Sequence, residues 1–299
     1  MQDFINLSYK TSKYSTFKIY EPKERIIYRL PYYPDRIAHH AIMNIMESIW
    51  RKVFVKNTYS SIRGRGIHKC VKDLYKDLYN NVEETQYCLK LDIRKFYPSI
   101  DHEILYSIIQ KKIKDKWFLT LLKGIIDSAE GVPIGNYLSQ FFANLYLTYF
   151  DHWIKEEVKC KYYYRYADDI VILGNNKSRL RNILIAIKFY FHNILKLKLK
   201  PNYQIFPIEK RGIDFVGYIF RHKHILLRKS IKARMLRLVN LYLNKKISKS
   251  TFESRMTSYR GWLKFCNSKH ISSIIEKATN YRISTWNGKL ELLTSFNNK

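Results

Sequence analysis

The chain has 299 residues, with 54 Lys and Arg against 25 Asp and Glu, for a formal net charge of +29. At 46% apolar and 15% aromatic residues it is too hydrophobic for a disordered basic tail, and it is long enough for about two lobes around a sizeable core. No apolar run reaches the roughly 18 residues of a spanning helix, MQDFINLSYKTSKY lacks a secretory apolar run, and Cys70, Cys88, Cys160 and Cys266 form no C-x-x-C pair. The expectation is a soluble, intracellular, folded protein with neither a disulfide framework nor a zinc site.

In chain order, apolar spacing predicts a helix over 37–54 (IAHHAIMNIMESIWRKVF). YSSIRGRG at 59–66 is a glycine-punctuated basic turn, and a helix is expected over 67–80. The mostly apolar QYCLKLDI at 86–93 has strand length and carries Asp92 near its end. Asp101 is a suitable N-cap for a helix reaching about Lys114. Over 137–155, Leu138, Phe141, Phe142, Leu145, Tyr146 and Tyr149 form one helical stripe. KYYYRYADDIVIL at 161–173 is two strand-like runs meeting at adjacent aspartates. A helix fits 177–195, strand-like stretches fall at 203–208, 213–220 and 224–228, and from Lys229 onward the pattern is helical and strongly basic. This order predicts an α+β core with a helical carboxy-terminal bundle. Gly (10) and Pro (7) are too sparse for a flexible tether, so the lobes should be closely joined.

A charge of +29 repels itself unless neutralised, and phosphate backbones are the usual neutraliser through counterion release. An AT-rich coding bias inflates Lys, Asn, Ile, Tyr and Phe, but it does not account for acids being half as many as bases. A nucleic-acid partner is therefore expected, and some tyrosines could stack bases while most fill core or rim. The scarce acids matter by position. Asp168 and Asp169 lie between YYYRYA and IVIL. A hairpin turn accommodates Asp, yet it leaves two carboxylates beside apolar strands with no cation to offset their repulsion. Asp92 closes another apolar run, where a simple cap is the plainer account. Together they offer hard oxygen ligands of the kind Mg2+ takes, pointing to two-metal phosphoryl transfer with an activated 3′-hydroxyl and a steadied pyrophosphate.

LDIRKFYPSIDH (91–102) resembles the first catalytic block of reverse transcriptases, and YADD (166–169) resembles the second. GVPIGNYLSQFFANLYL (131–147) is similar to the block that bacterial group II intron enzymes write as G-x-P-Q-G-x-x-x-S-P-x-x-A-N-x-Y-L. It keeps Gly131, Pro133, Gly135, Ser139, Ala143, Asn144, Tyr146 and Leu147, but has Ile134 in place of Gln and Gln140 in place of Pro. The pattern I-G-x-x-x-S-Q resembles the signature of reverse transcriptases from diversity-generating retroelements. RLPYYPDRIAHH (29–40), SIRGRGIHKC (61–70), GIDFVGYIF (212–220) and SYRGWLKFCNS (258–268) resemble further blocks of the same family, in the right order.

The resemblance implies an α+β right-hand polymerase. Fingers would occupy 1–85, with part of the palm at the boundary. A palm with an antiparallel sheet and the catalytic site would occupy 86–220, with a fingers insertion near 103–130, and a helical thumb 221–299. It implies two Mg2+ ions, replaceable by Mn2+, on Asp92 and Asp168, with Asp169 assisting and the Ile93 carbonyl a further ligand. Tyr97 matches the steric gate against a ribose 2′-hydroxyl, which makes dNTPs the substrates. Arg63 and Arg65 are candidates to clamp the triphosphate, an ordinary solvated turn being the alternative. Ile134 and Gly135 would lie against the incoming nucleotide and templating base, with Ser139 and Gln140 in the same fidelity motif, Gln140 as a packing residue. Related enzymes carry a Lys late in L-x-L-x-P-x-K; LKLKPNYQI (197–205) has Asn202 and Tyr203 there, leaving Lys200 or a water as general acid.

The implied partners are template RNA, the RNA/cDNA duplex gripped by phosphate contacts and A-form shape, dNTPs, and a small basic accessory variability protein that oligomerises; no membrane is implied. The implied location is the cytoplasm of a bacterium or phage-infected bacterium. The leading expectation is an RNA-directed DNA polymerase making cDNA, mutagenic at adenines within a diversity-generating retroelement. A group II intron-like or retron/antiphage reverse transcriptase is the alternative, and a non-catalytic RNA-binding scaffold with a retained palm is the reading from another class. His39 and His40 are expected to cap or pack at a finger helix, and Cys160 to fill space before the hairpin.

Overall fold

The computed structural model describes residues 9–20 and 24–283. β1 (Ser15–Ile19) and β2 (Arg25–Arg29) form an antiparallel hairpin with Ser15 opposite Arg29, an element the sequence did not suggest. Most of its residues are exposed, so no alternation of buried and solvated positions marks it. α1 (Ile37–Trp50) buries Ala38, His39, Ile42, Met43, Met46 and Trp50 along one face. It stops short of the expected 54, because residues 51–54 leave the helix in a turn. α2 (Ile67–Asn80) has the expected bounds and buries Cys70, Val71, Leu74, Tyr75 and Leu78.

β3 (Tyr87–Asp92) precedes α3 (His102–Gln110), where the Asp101 carboxylate accepts the Ile104 N–H at 3.0 Å as the predicted cap. α4 (Lys116–Ile126), capped by Asp115 on the Phe118 N–H, was not anticipated. The stripe over 137–155 is broken at Leu147 (φ −96°, ψ 0°) into α5 (Tyr137–Tyr146) and α6 (Thr148–Glu156). β4 (Tyr162–Tyr166), β5 (Asp169–Gly174), α7 (Lys177–Asn193) and β6 (Gln204–Pro207) follow. The four-stranded sheet runs β4-β5-β3-β6, and a two-residue turn, Ala167-Asp168, makes β4 and β5 an antiparallel hairpin.

The run 213–220 is itself a hairpin of β7 (Ile213–Phe215) and β8 (Tyr218–Phe220), extended antiparallel by β9 (Ile225–Leu227). Val216 and Gly217 turn it with φ of 42° and 90°, both positive as a tight hairpin turn requires, and a Cβ at Gly217 would run into the Trp262 ring. α8 (Lys229–Leu243), α9 (Lys249–Leu263) and α10 (Lys269–Thr279) bury Met235, Leu238, Val239, Phe252, Met256, Leu263 and Ile275. Lys232, Arg234, Arg237, Arg255, Arg260 and Lys277 are exposed on these helices, so their charge stays in solvent while aliphatic residues pack.

Two compact units result, each assembled from discontinuous stretches. The first contains residues up to Gly66, Lys90–Ile172 and Ser178–Gln204; the second contains Ile67–Leu89, Leu173–Lys177 and residues from Ile205 on. All four cysteines are buried thiols, and burial pushes Cys160 up to about 11. Among the described residues no helix is long and apolar enough to cross a membrane.

Candidate active site

The end of β3 is stitched to the chain beyond α7. Arg94 N–H donates to the Lys198 carbonyl and Lys200 N–H to the Asp92 carbonyl, both at 2.8 Å, while Ile93 bridges antiparallel to Leu199. On its other side Ile93 N–H donates to the Asp168 carbonyl at 3.3 Å. These backbone bonds bring Asp92 and Asp168, 76 positions apart in sequence, to one place. Burial and then the negative charge of Asp92 push the Asp168 carboxyl above its ordinary value. Lys200 Nζ lies 2.5 Å from Asp92 Oδ1, supplying positive charge to the pair. Asp169 faces another cation, Lys90 Nζ at 3.6 Å.

The turn that carries Asp168 rests on a buried polar network. Asp151 on α6 and Arg165 on β4 are wholly buried and paired, with Arg165 Nε 2.7 Å from Asp151 Oδ1 and Nη2 2.5 Å from Oδ2. Tyr163 OH donates to Asp151 Oδ1 at 2.5 Å and Thr58 Oγ1 to Oδ2 at 3.1 Å. The remaining guanidinium nitrogen, Nη1, donates to Asn144 Oδ1 and to the Ala167 carbonyl, each at 3.1 Å. Burial opposes the charge on Arg165, but Asp151 more than offsets it and holds the guanidinium protonated. A charged side chain is thus spent on fixing the backbone one residue before Asp168.

Tyr97 begins a short 3-10 turn, Tyr97–Ser99, after Asp92. Burial and the charge of Asp168 push its hydroxyl up to about 12, so it stays a neutral phenol across the physiological range. Its carbonyl accepts the Val132 N–H at 2.9 Å, which joins the turn to the 131–136 loop. Ile134 is fixed by β2, whose Tyr28 N–H donates to the Ile134 carbonyl at 2.7 Å. Gly135 (φ +121°) presses on the Tyr28 carbonyl so closely that no Cβ fits. Ser139 is buried on α5. Beside Gly135 opens a groove of about 890 Å3 lined by Tyr32, His40, Tyr137 and Gln140 among others, where His40 stacks on Tyr137 at 5.5 Å. His39 packs in α1 instead, with burial lowering its basicity.

The two arginines of the basic turn diverge. Arg63 is exposed. Arg65 is half-buried and directs Nη1 to the Val55 and Thr58 carbonyls at 2.5 and 3.3 Å, closing the turn on itself. Gln140 has a partner that sequence reasoning could not supply: its Oε1 accepts Ser61 Oγ at 2.5 Å, tying α5 to the same turn. Arg25 on β2 was also missed, and its positive charge acts on both Asp168 and Tyr97. Its only signal was a position just ahead of the block at 29–40.

Among the described residues no three His, Cys, Asp or Glu side chains converge as a metal-holding group. Asp92 and Asp168 nevertheless suit a divalent cation. They are hard oxygen donors, and burial and mutual repulsion leave Asp168 short of positive charge.

The family model described as reverse transcriptase (RNA-dependent DNA polymerase) matches residues 20–220. Protein YkfC of Escherichia coli (strain K12) is 25% identical over 270 residues, covering 75% of this chain and 69% of that protein. The retron Ec73 reverse transcriptase of Escherichia coli is 26% identical over 239 residues, covering 74% and 73%. The group II intron-encoded protein LtrA of Lactococcus lactis is 21% identical over 265 residues, covering 64% of this chain and 44% of its own length. Among solved structures, apo telomerase from Candida tropicalis superposes with a TM-score of 0.58 at 13% identity, over 78% of this chain and 53% of that one. The same organism's telomerase in complex with a TWJ fragment of telomeric RNA gives 0.56 at 12% identity, over 91% and 53%. The chain thus spans about half the telomerase chain and less of LtrA. The α+β right-hand polymerase class expected from the sequence is the class observed.

Proposed function

This chain belongs to the reverse transcriptase (RNA-dependent DNA polymerase) family, and with it to the RNA-directed DNA polymerases, and on that footing we propose that it copies an RNA template into cDNA by two-metal nucleotidyl transfer from dNTPs. The observation that carries this reading is the Asp92–Asp168 pair, set at adjacent strand ends beside the neutral phenol of Tyr97. Two Mg2+ ions, for which Mn2+ can substitute, would be held by Asp92, Asp168, Asp169 and the Ile93 carbonyl, and supply activation of the 3′-hydroxyl and charge neutralisation at the pyrophosphate. Tyr97 packs against the deoxyribose and excludes a 2′-hydroxyl. Ile134 and Gly135 support the nascent base pair. Arg63 and Arg25 meet the triphosphate, whereas Arg65 holds the turn that presents Arg63. Lys200, already at Asp92, is the residue placed to donate to the leaving pyrophosphate.

In this reading the fingers comprise 1–85, the palm 86–220 and the thumb 221–299, and the exposed basic helices of the thumb follow the template–primer duplex. The telomerase solved with a fragment of telomeric RNA supports an RNA-bound state for this fold. The test is Mg2+-dependent dNTP incorporation on an RNA template. Loss in Asp168→Ala is expected; RNA binding with no incorporation by the unaltered chain would instead favour a scaffold.

The finer assignment is an adenine-mutagenic enzyme of a diversity-generating retroelement, cytoplasmic in a bacterium and aided by a small basic accessory oligomer. It rests on Ile134 and Gln140. A branched aliphatic side chain cannot donate the hydrogen bonds of Gln, so checking of the pair opposite adenine loosens. Misincorporation opposite template adenine should fall in Ile134→Gln, and an unchanged error rate would remove this assignment. The retron Ec73 enzyme, matched over 73% of its length, supports a retron-type enzyme as the second reading.

A further inference from the structure

The 131–136 loop belongs to no helix or strand, so its shape is set by what holds it. The far end is held by the hairpin, through Tyr28 N–H on the Ile134 carbonyl, and by Tyr14 just ahead of it, whose OH accepts from Asn136 Nδ2 at 3.1 Å. The near end lies on the Tyr97 turn. Gly131 (φ +58°) touches the Tyr97–Pro98 backbone so closely that a Cβ would sit 2.5 Å from the Tyr97 carbonyl oxygen. The Gly131 carbonyl itself lies outside every helix and strand, so what holds it must come from a side chain.

One side chain provides that anchor. His102, the first residue of α3, has Nε2 2.8 Å from the Gly131 carbonyl oxygen and Nδ1 3.0 Å from Asp127 Oδ1 at the end of α4. Both partners are acceptors, so only the ring carrying hydrogen on each nitrogen makes both bonds, and the neutral ring keeps one. Asp127 also takes Lys123 Nζ at 3.3 Å, and Lys123 reaches Glu103 on α3. The ring is therefore clamped between two helices and aimed at a single backbone carbonyl. His102 lies five residues beyond Tyr97, and the Gly131 carbonyl it holds lies three residues before Ile134, next to the Val132 N–H that bonds the Tyr97 carbonyl.

We propose that His102, seated on Asp127, is a positioning residue that couples the sugar gate at Tyr97 to the base-pair platform at Ile134–Gly135. It touches no reacting atom. By holding the Gly131 carbonyl it fixes the Val132–Tyr97 bond, and so sets how far the gate stands from the platform. The proposal rests on the reading of Tyr97 and Ile134–Gly135 given above and adds the element that sets their spacing.

The test is single-nucleotide incorporation on an RNA template by the full chain, with dNTP and rNTP compared at matched positions. His102→Ala should raise the KM for dNTP and reduce dNTP-over-rNTP selectivity about tenfold, the loss of roughly one well-placed hydrogen bond, with kcat nearly unchanged. His102→Gln, which can still donate to the Gly131 carbonyl, should recover most of the selectivity, and Asp127→Asn should fall between. These two milder variants decide the question if His102→Ala does not fold. A lowered melting temperature in all three with selectivity and KM unchanged would reduce His102 to a structural staple and overturn the proposal. Tyr97→Ala separates the two levels of argument. If it leaves selectivity intact, or if the unaltered chain incorporates no dNTP, the polymerase reading of this site fails and the proposal falls with it. If Tyr97→Ala abolishes selectivity while the His102 variants do not change it, only the proposal falls.

Discussion

Replacing Asp151 by Ala strands a buried cation, and the consequence can be sized from the contacts. The Asp151 carboxylate accepts from Thr58 Oγ1, Tyr163 OH, Arg165 Nε and Arg165 Nη2, at 2.5 to 3.1 Å, and both ionic partners are fully shielded from solvent. Removing one partner of such a pair costs about 3–5 kcal/mol, because the remaining charge keeps its desolvation penalty without its attraction. For a unit of this size each kcal/mol lowers the melting temperature by roughly 2–4 °C, so Asp151→Ala should lower it by roughly 6–20 °C. Incorporation should fall as well, since Arg165 Nη1 no longer has a fixed guanidinium frame from which to hold the Ala167 carbonyl beside Asp168. Differential scanning calorimetry of Asp151→Ala, Arg165→Met and an Asp151→Leu/Arg165→Met double variant gives the coupling directly. The double variant should be the most stable of the three, because two apolar side chains leave no charge buried. A shift for Asp151→Ala below roughly 2 °C would mean that the network is solvated or loosely held, and the reasoning would be wrong.

Three further outcomes follow from the same site. Asp168 is held above its unfolded value by burial and by Asp92, so the stability linked to its proton is complete below the unfolded pKa and lost as pH rises through the folded one. Near neutral pH and without divalent cation, Asp168→Asn should therefore raise the melting temperature while abolishing incorporation; a destabilised variant would contradict the sign. Gly135→Ala forces a side chain into a positive-φ position against the Tyr28 carbonyl, with an expected cost of about 1–3 kcal/mol and a higher KM for dNTP, and unaltered kinetics would show that the loop gives way freely. Lys200→Met should slow single-turnover incorporation by roughly 10²-fold with dNTP affinity retained, and an unchanged rate would assign the proton to water.

The convergence of Asp92 and Asp168 was legible because acids are rare in this chain and two apolar runs each lead to one. The helix at 67–80 and the Asp101 cap were legible because their signals are local. The β1–β2 hairpin was not, since its strands expose both faces and show no alternation. The break at Leu147 was hidden because the apolar stripe continues through it on both sides. Arg65 and Arg63 looked equivalent in a basic turn, and only the nearby carbonyls of Val55 and Thr58 separate them. Gln140 meets Ser61 across 79 positions, a contact no local pattern encodes.

The dependence of Ile134 on Tyr28 sets an order of assembly on the ribosome. Roughly 100 residues separate them, so at about 5–20 residues per second the β2 edge waits some 5–20 s for the loop that will cover it. During that interval the hairpin presents an unclaimed N–H beside exposed Phe17 and Ile26, the kind of edge that recruits foreign strands. Lys18, Arg25 and Arg29 on the same ribbon supply the charge that keeps such an edge apart from other nascent chains until its own partner emerges.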